Sequence, residues 1–180
     1  MKYKHEGIWT EMLPSLSWSR NWHNKEDNSV LCEYASKLKS DEHILEIGSA
    51  EGQSTISMLL ASESFCVAID PYITTNLLTN IKALSLGARV VILPTTSEGA
   101  VLPPIKFGLV FIDGVHTYDM VKHDLEKFSQ TGAQYIVLHD TIKPELHKAV
   151  KEFVEKGTYE KIEERENITV LSKLSLEKDE

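Results

Sequence analysis

At 180 residues, with an apolar share of 42% and two cysteines, the chain reads as one domain with a core of its own and no disulfide framework. A formal net charge of −8 argues against a broad nucleic-acid surface or an anionic-membrane surface, since both require basic patches. No apolar run is long enough to span a bilayer, and a reducing, cytoplasmic setting is expected.

Residues 1–28 are the least regular stretch and carry all three tryptophans, Trp9, Trp18 and Trp22. We read them as an N-terminal arm whose aromatics pack on the domain, with a lid over a pocket as the alternative. The domain proper is expected over 29–180. Asp27, Asn28 or Ser29 caps a helix running to about Lys39, with Val30, Leu31, Tyr34, Ala35 and Leu38 on its apolar face. His43–Ile47 is a short buried strand, interrupted by Glu46. Glycines 48 and 52 break it, and helical spacing resumes over Ser54–Ala61. Such a strand, tight turn and helix N-terminus offers free backbone N–H groups to an anionic or polar ligand group.

Phe65–Ile69 is the second strand and ends in Asp70-Pro71-Tyr72. Asp70 lies 22 positions after Gly48, where nucleotide-binding α/β folds put a carboxylate on ribose hydroxyls. Tyr72 either stacks on an adenine or covers the strand end. Thr75–Leu86 reads as a helix closed by Gly87, and Arg89–Leu93 as a third strand before a polar loop with Thr96 and Ser97. Phe107–Ile112 is a fourth buried strand, ending in Asp113-Gly114-Val115-His116. A helix over Tyr118–Ser129 leads to a fifth strand, Gln134–Leu138, ending in His139-Asp140-Thr141. Pro144 opens a helix to about Lys156. Tyr159–Glu163 and Ile168–Leu174 form an antiparallel pair around the polar turn Glu164–Asn167, and Glu177–Glu180 is a solvated acidic tail.

Alternating strands and helices argue for an open, doubly wound, mostly parallel α/β sheet. Ligands on such sheets bind outside the carboxyl ends of the strands. Glu46, Gly48, Asp70, Asp113, His139 and Asp140 all fall at those ends. The dinucleotide fingerprint G-x-G-x-x-G is absent, because Ala stands at 50 and Gln at 53, which counts against a nicotinamide-dependent oxidoreductase.

The run Glu46 to Gly52, E-x-G-x-x-x-G, resembles motif I of class I S-adenosylmethionine (SAM) methyltransferases, with Ala50 at the middle glycine. Phe111-Ile112-Asp113-Gly114-Val115-His116-Thr117-Tyr118, then Asp124-Leu125, then Ile136 to Thr141 resemble the small methyltransferase family 24 type, over about Asp41 to Leu174. That group is similar to sugar and macrolide O-methyltransferases. The resemblance implies a Rossmann-like seven-stranded sheet in the order 3-2-1-4-5-7-6, its last strand antiparallel, with helices on both faces. It implies SAM bound by Glu46, Gly48, Ser49, Gly52, Gln53 and Ser54, with Asp70 on the ribose, Tyr72 and Ser97 near the adenine, and Asp113 also at the cofactor. It implies O-methylation of a small-molecule hydroxyl of sugar, polyketide or phenol type, and leaves a homodimer open.

The implied reaction face is Asp113, His116, His139 and Asp140. Two routes to a reactive hydroxyl stay open. One is Mg²⁺ or another divalent metal on Asp113 and Asp140; the other is His116 or His139 as general base. Val115 stands where relatives often carry an acid, so that acid cannot be the base here. The remaining histidines, His5, His23, His43, His123 and His147, show no ligand spacing and read as ordinary surface or core residues. A non-catalytic SAM-fold binding module and, behind it, a nicotinamide-dependent oxidoreductase remain the other classes.

Overall fold

The computed structural model describes residues 7–8, 13–19 and 23–175. The expected packing of Trp9 and Trp22, and the acidic tail Glu177–Glu180, lie outside the described residues. Strands β1 (His43–Ile47), β2 (Cys66–Ile69), β3 (Val90–Leu93), β4 (Phe107–Ile112), β5 (Tyr135–Leu138), β6 (Tyr159–Arg165) and β7 (Ile168–Lys173) form one sheet. Its order is β3-β2-β1-β4-β5-β7-β6, as the resemblance implies. The pairs from β3 to β5 are parallel, and β7 runs antiparallel to both neighbours.

Helices α1 (Lys25–Ala35), α2 (Gln53–Ala61) and α3 (Thr75–Ala83) share one apolar layer with one face of the sheet. Helices α4 (Tyr118–Phe128) and α5 (Pro144–Val154) share a second layer with the other face. Side chains alternate across a strand, so Ile44 faces the α1–α2 layer and Leu45 and Ile47 face the α4–α5 layer. With both faces covered, β1, β4 and β5 read as near-continuous apolar runs.

Helix boundaries depart from expectation where capping decides them. Asn24, not Asp27, Asn28 or Ser29, caps α1. Its side chain accepts from Asp27 N, and the Asp27 carboxylate accepts from Asn24 N, a complete capping box. Helix α1 therefore starts before residue 29 and ends at Ala35 rather than Lys39. Helix α3 stops at Ala83, and Ser85 at φ +56° makes the left-handed turn expected of Gly87. The hairpin turn between β6 and β7 shrinks to Glu166-Asn167.

The described part of the N-terminal arm lies across the start of α2 as a strap. Ser17 exchanges two hydrogen bonds with the Asn80 side chain, N–H to Oδ1 and Nδ2–H to O, each 2.9 Å. Ser19 N–H donates to Glu51 Oε2 at 2.8 Å. His23 N–H donates to Gln53 Oε1 at 3.3 Å, and Gln53 Nε2 donates back to His23 O at 3.2 Å. Leu13, Leu16 and Trp18 pack into the α1–α2–α3 layer. Among the described residues no helix is long and apolar enough to cross a membrane.

Candidate functional site

Strand register assembles the site. Ile47 pairs with Ile112, and Ile112 with Leu138. The residues that follow, Gly48, Asp113 and His139, therefore emerge side by side at the carboxyl edge. Asp113 N–H donates to Ile47 O at 2.8 Å, and His139 N–H to Ile112 O at 3.1 Å. Gly48, at φ +87°, brings β1 so close to β4 that a Cβ on it would meet the Asp113 carbonyl oxygen at 2.2 Å. Gly52, at φ +88°, precedes α2, whose start carries no side-chain cap.

The first cavity, of about 500 Å³, opens at this edge. Its wall comes from the turn after β1 (Gly48, Ser49, Ala50, with Gln53 and Ser54 of α2) and from the loop after β2 (Asp70, Pro71, Tyr72). Residues 95–98 after β3 and 113–116 after β4 complete it, with His23 at one side. Asp70 is mostly buried and its carboxylate organises the turn. Oδ2 accepts from Ser49 N at 3.0 Å and Ala50 N at 2.9 Å, and Oδ1 from Tyr72 N at 2.8 Å. Ser49 Oγ is buried without a hydrogen-bond partner.

Two of the residues expected at the cofactor do not line this cavity. Glu46 lies on the strand face that α2 covers and is 0% exposed. It accepts from Ser54 Oγ and, at 2.5 Å, from Thr55 Oγ1, so it ties β1 to the start of α2. Burial pushes its carboxyl up to about 7 against those two hydroxyls, and the nearby Asp113 charge adds to the rise. Gly52 points toward Leu77 in the core, where a Cβ would meet Leu77 Cδ1 at 2.5 Å.

The four residues of the expected reaction face do come together, with partners the sequence reading did not select. Asp113 Oδ1 lies 2.9 Å from His116 Nε2 and 3.1 Å from His139 Nδ1, and its Oδ2 lies 2.9 Å from His23 Nε2. His139 Nε2 continues to Asp27 Oδ2 at 3.2 Å. On the far side, His116 Nδ1 is 3.0 Å from Asp140 Oδ2 and 3.1 Å from Lys143 Nζ, and that ammonium is 2.5 Å from Asp140 Oδ2. Asp140 adopts φ +57°, a left-handed conformation that aspartate tolerates better than most residues.

The electrostatics follow from this packing. Burial alone would raise Asp113, but hydrogen bonds from His116, His139 and His23 outweigh it and hold its carboxyl well below the usual carboxylate range. Burial alone would lower His139, but the carboxylates of Asp113 and Asp27 on its two nitrogens lift it to about 10. His139 is thus an imidazolium at neutral pH, and the expectation that it serves as general base is corrected: it has no free lone pair to offer. His23 and Asp27 were missed because their site partners lie far away in the chain; Lys143 meets Asp140 only three residues away, but His116 27 residues away. The Asn24-x-x-Asp27 capping-box spacing was the available local signal, and it places Asp27 in the first turn of α1 with His23 just before it.

A second cavity of about 550 Å³ adjoins the first. It is lined by His23, Asn24, Asp27, Asp113, His116, His139, Asp140 and Asn167, with no aliphatic side chain among them. Ligand atoms of His23, Asp113 and His139, and those of His116, His139 and Asp140, each fall within 4.8 Å of one another. Mg²⁺ prefers an all-oxygen shell and keeps waters. Here each group supplies a single carboxylate beside two imidazoles, and the Lys143 ammonium and the His139 imidazolium already neutralise the acids. The expected Mg²⁺ on Asp113 and Asp140 does not fit this donor set.

A family model described as "Methyltransferase domain" matches residues 45–141, more than half of the chain. A search of curated proteins found no significant match. Among solved structures, the chain is similar to the SAH-bound Podospora anserina methyltransferase PaMTH1, with a TM-score of 0.67 and 15% identity over 85% of this chain and 80% of that one. It is similar to the tRNA (m1A58) methyltransferase TrmI from Aquifex aeolicus, with a TM-score of 0.70 and 17% identity over 95% and 76% of the two chains. It is also similar to a Staphylococcus aureus protein described as "a putative caffeoyl-CoA O-methyltransferase", with a TM-score of 0.71 and 12% identity over 95% and 92% of the two chains. At these identities the likeness is one of fold.

Proposed function

The chain belongs to this methyltransferase-domain family, and from that premise we propose that it transfers a methyl group from SAM to a hydroxyl of a small molecule. The observation that carries the reading is the cavity at the carboxyl edge, walled by the turn after β1, by Asp70 and Tyr72 after β2 and by Ser97 after β3. Its volume is within the range of ligand pockets, roughly 300–1,000 Å³. The uncapped start of α2 and the unpartnered Ser49 Oγ suit the polar amino-acid head of SAM. Asp70 suits its ribose hydroxyls, and the exposed ring of Tyr72 its adenine. Glu46 acts through the turn, by fixing α2 against β1.

SAM supplies an electrophilic methyl group on a sulfonium cation. The chain's part is to hold the acceptor oxygen in line with that carbon, to exclude water and to receive a proton. The second cavity gives the acceptor its place. Its lining is polar throughout, with no aliphatic side chain among the lining residues, which suits a hydroxyl compound. The described strap residues reach one side of the site through His23, so we treat the described residues 13–19 and 23–28 as part of the working domain.

Separate calorimetric titrations with SAM, S-adenosylhomocysteine (SAH) and NAD⁺ test the donor assignment. SAM and SAH are expected to bind and NAD⁺ to show no heat; binding of NAD⁺ alone would sink the proposal. Asp70→Ala should weaken SAH by about 1–3 kcal/mol, because charge-assisted bonds to the ligand and to the turn are lost together. A panel of sugar, phenol and polyketide hydroxyls with methyl-labelled SAM then identifies the acceptor.

A further inference from the structure

We propose that His23, contributed by the N-terminal strap, is the catalytic residue that takes the proton of the acceptor hydroxyl. The proposal rests on the methyl-transfer reading above. Among the described residues, the two cavities share three lining residues, His23, Asp113 and His116. A methyl group moving from a donor in the first cavity to an acceptor in the second passes those three, so the proton acceptor is sought among them.

Two of the three are committed elsewhere. Both oxygens of Asp113 receive imidazole nitrogens, three in all, at 2.9–3.1 Å. His116 uses both ring nitrogens, Nε2 on Asp113 and Nδ1 against Asp140 and Lys143. His23 differs. Its Nε2 lies 2.9 Å from Asp113 Oδ2, while its Nδ1 is buried and has no partner. A neutral imidazole that donates Nε2–H to a carboxylate carries its lone pair on Nδ1. In that tautomer the nitrogen left unsatisfied is the one with the lone pair. A buried polar atom without a partner costs stability unless a ligand completes it.

The ring is held for this task. The His23 backbone is pinned in both directions by the Gln53 side chain at the start of α2. His139 stands edge-on at 4.7 Å between ring centroids, and Phe111 lies at 5.8 Å. The titratable groups around His23 are Asp113 at the end of β4, Asp27 on α1, His139 at the end of β5 and His116 after β4. In the transfer step the acceptor oxygen forms its bond to the methyl carbon while its proton passes to His23 Nδ1. The S–CH₃ bond of the donor breaks, and its electron pair stays on sulfur as a thioether. The positive charge lost at sulfur reappears on the imidazole beside the Asp113 carboxylate, and solvent later removes the proton.

The test has one arm independent of turnover. Long-range ¹H–¹⁵N spectra of histidine-labelled protein, with His23 assigned through His23→Gln, should show the Nε2–H tautomer near pH 7.5. An Nδ1–H tautomer or an imidazolium there overturns the proposal. In the second arm His23→Gln and His23→Asn are checked for folding by circular dichroism and titrated with SAH. Single-turnover transfer to the acceptor found in the hydroxyl panel, measured with SAM held saturating for each variant, should fall at least about 100-fold and lose the acidic limb of its pH–rate profile. Transfer within about tenfold of wild type, with that limb intact, overturns the assignment. Failure of the unsubstituted protein to bind SAH instead refutes the donor reading, whatever tautomer His23 shows.

Discussion

His139 sits between two carboxylates, Asp27 on Nε2 and Asp113 on Nδ1, and its side chain is only 8% exposed. Its charge is therefore structural. The folded-state value of about 10 lies above the ordinary 6.5, so the stabilisation it provides is full below pH 6.5 and is lost as pH rises toward 10. Asp113 has the opposite sign. Its carboxyl is depressed from 3.8, so its contribution is full above that value and is lost as pH falls through the lower folded value. The network is thus most stable from about pH 4 to 6.5. His139→Gln should cost about 3 kcal/mol at pH 6, since it leaves two buried acids short of a partner. Urea unfolding at pH 6, 8 and 10 should show that gap between wild type and variant closing as pH rises. A constant gap would mean that His139 is neutral and acts only by packing. None of this was legible from local sequence: His139 meets Asp27 across 112 residues, and Asp113 meets His23 across 90.

The strand–turn–helix unit from β1 to α2 depends on two glycines in different ways. At Gly48 a Cβ would collide with the Asp113 backbone, which cannot yield without moving β4. At Gly52 the obstacle is the tip of the Leu77 side chain, which can rotate away. Both have φ near +90°, which costs a non-glycine residue about 1–2 kcal/mol. Gly48→Ala should therefore lower unfolding stability by about 3 kcal/mol or more and Gly52→Ala by roughly 1–2 kcal/mol, read from urea midpoints. Equal losses would mean that β1 and β4 part more easily than their register implies. A Gly48 variant therefore acts first through a broken contact between β1 and β4. At this scale most of the fold was legible. Buried strands announce themselves as unbroken apolar runs, and β1 and β4 carry their expected bounds. Helix ends were less legible, because capping geometry decides them: Asn24 begins α1 and Ser85 ends the turn after α3. Carboxyl-edge placement was legible for Asp70, Asp113, His139 and Asp140. Glu46 was placed at the same edge, but strand alternation turns its side chain under α2, away from the cavity.

Across the molecule, the strap joins the α1–α2–α3 layer to both cavities. Ser17 and Glu51 meet on Asn80, Ser19 meets Glu51, and His23 meets Gln53, so the strap and the turn that precedes α2 share one set of hydrogen bonds. Anything that orders the turn should also order the strap. A ligand that binds only the folded state at 100 times its dissociation constant adds about 2.7 kcal/mol. For a chain of this size that raises the melting midpoint by roughly 5–10 °C. SAH at that concentration should give such a shift and should slow amide exchange at Ser17, Ser19 and the turn 48–53 together. Asn80 is 1% exposed and makes three of the shared bonds. Asn80→Ala should cost about 1–3 kcal/mol, because the Ser17 backbone groups lose their partner. In that variant exchange should quicken at the strap and at the turn alike. If SAH protects residues 48–53 but leaves Ser17 and Ser19 unchanged, the strap is an independent unit, and His23 reaches the site without help from donor binding.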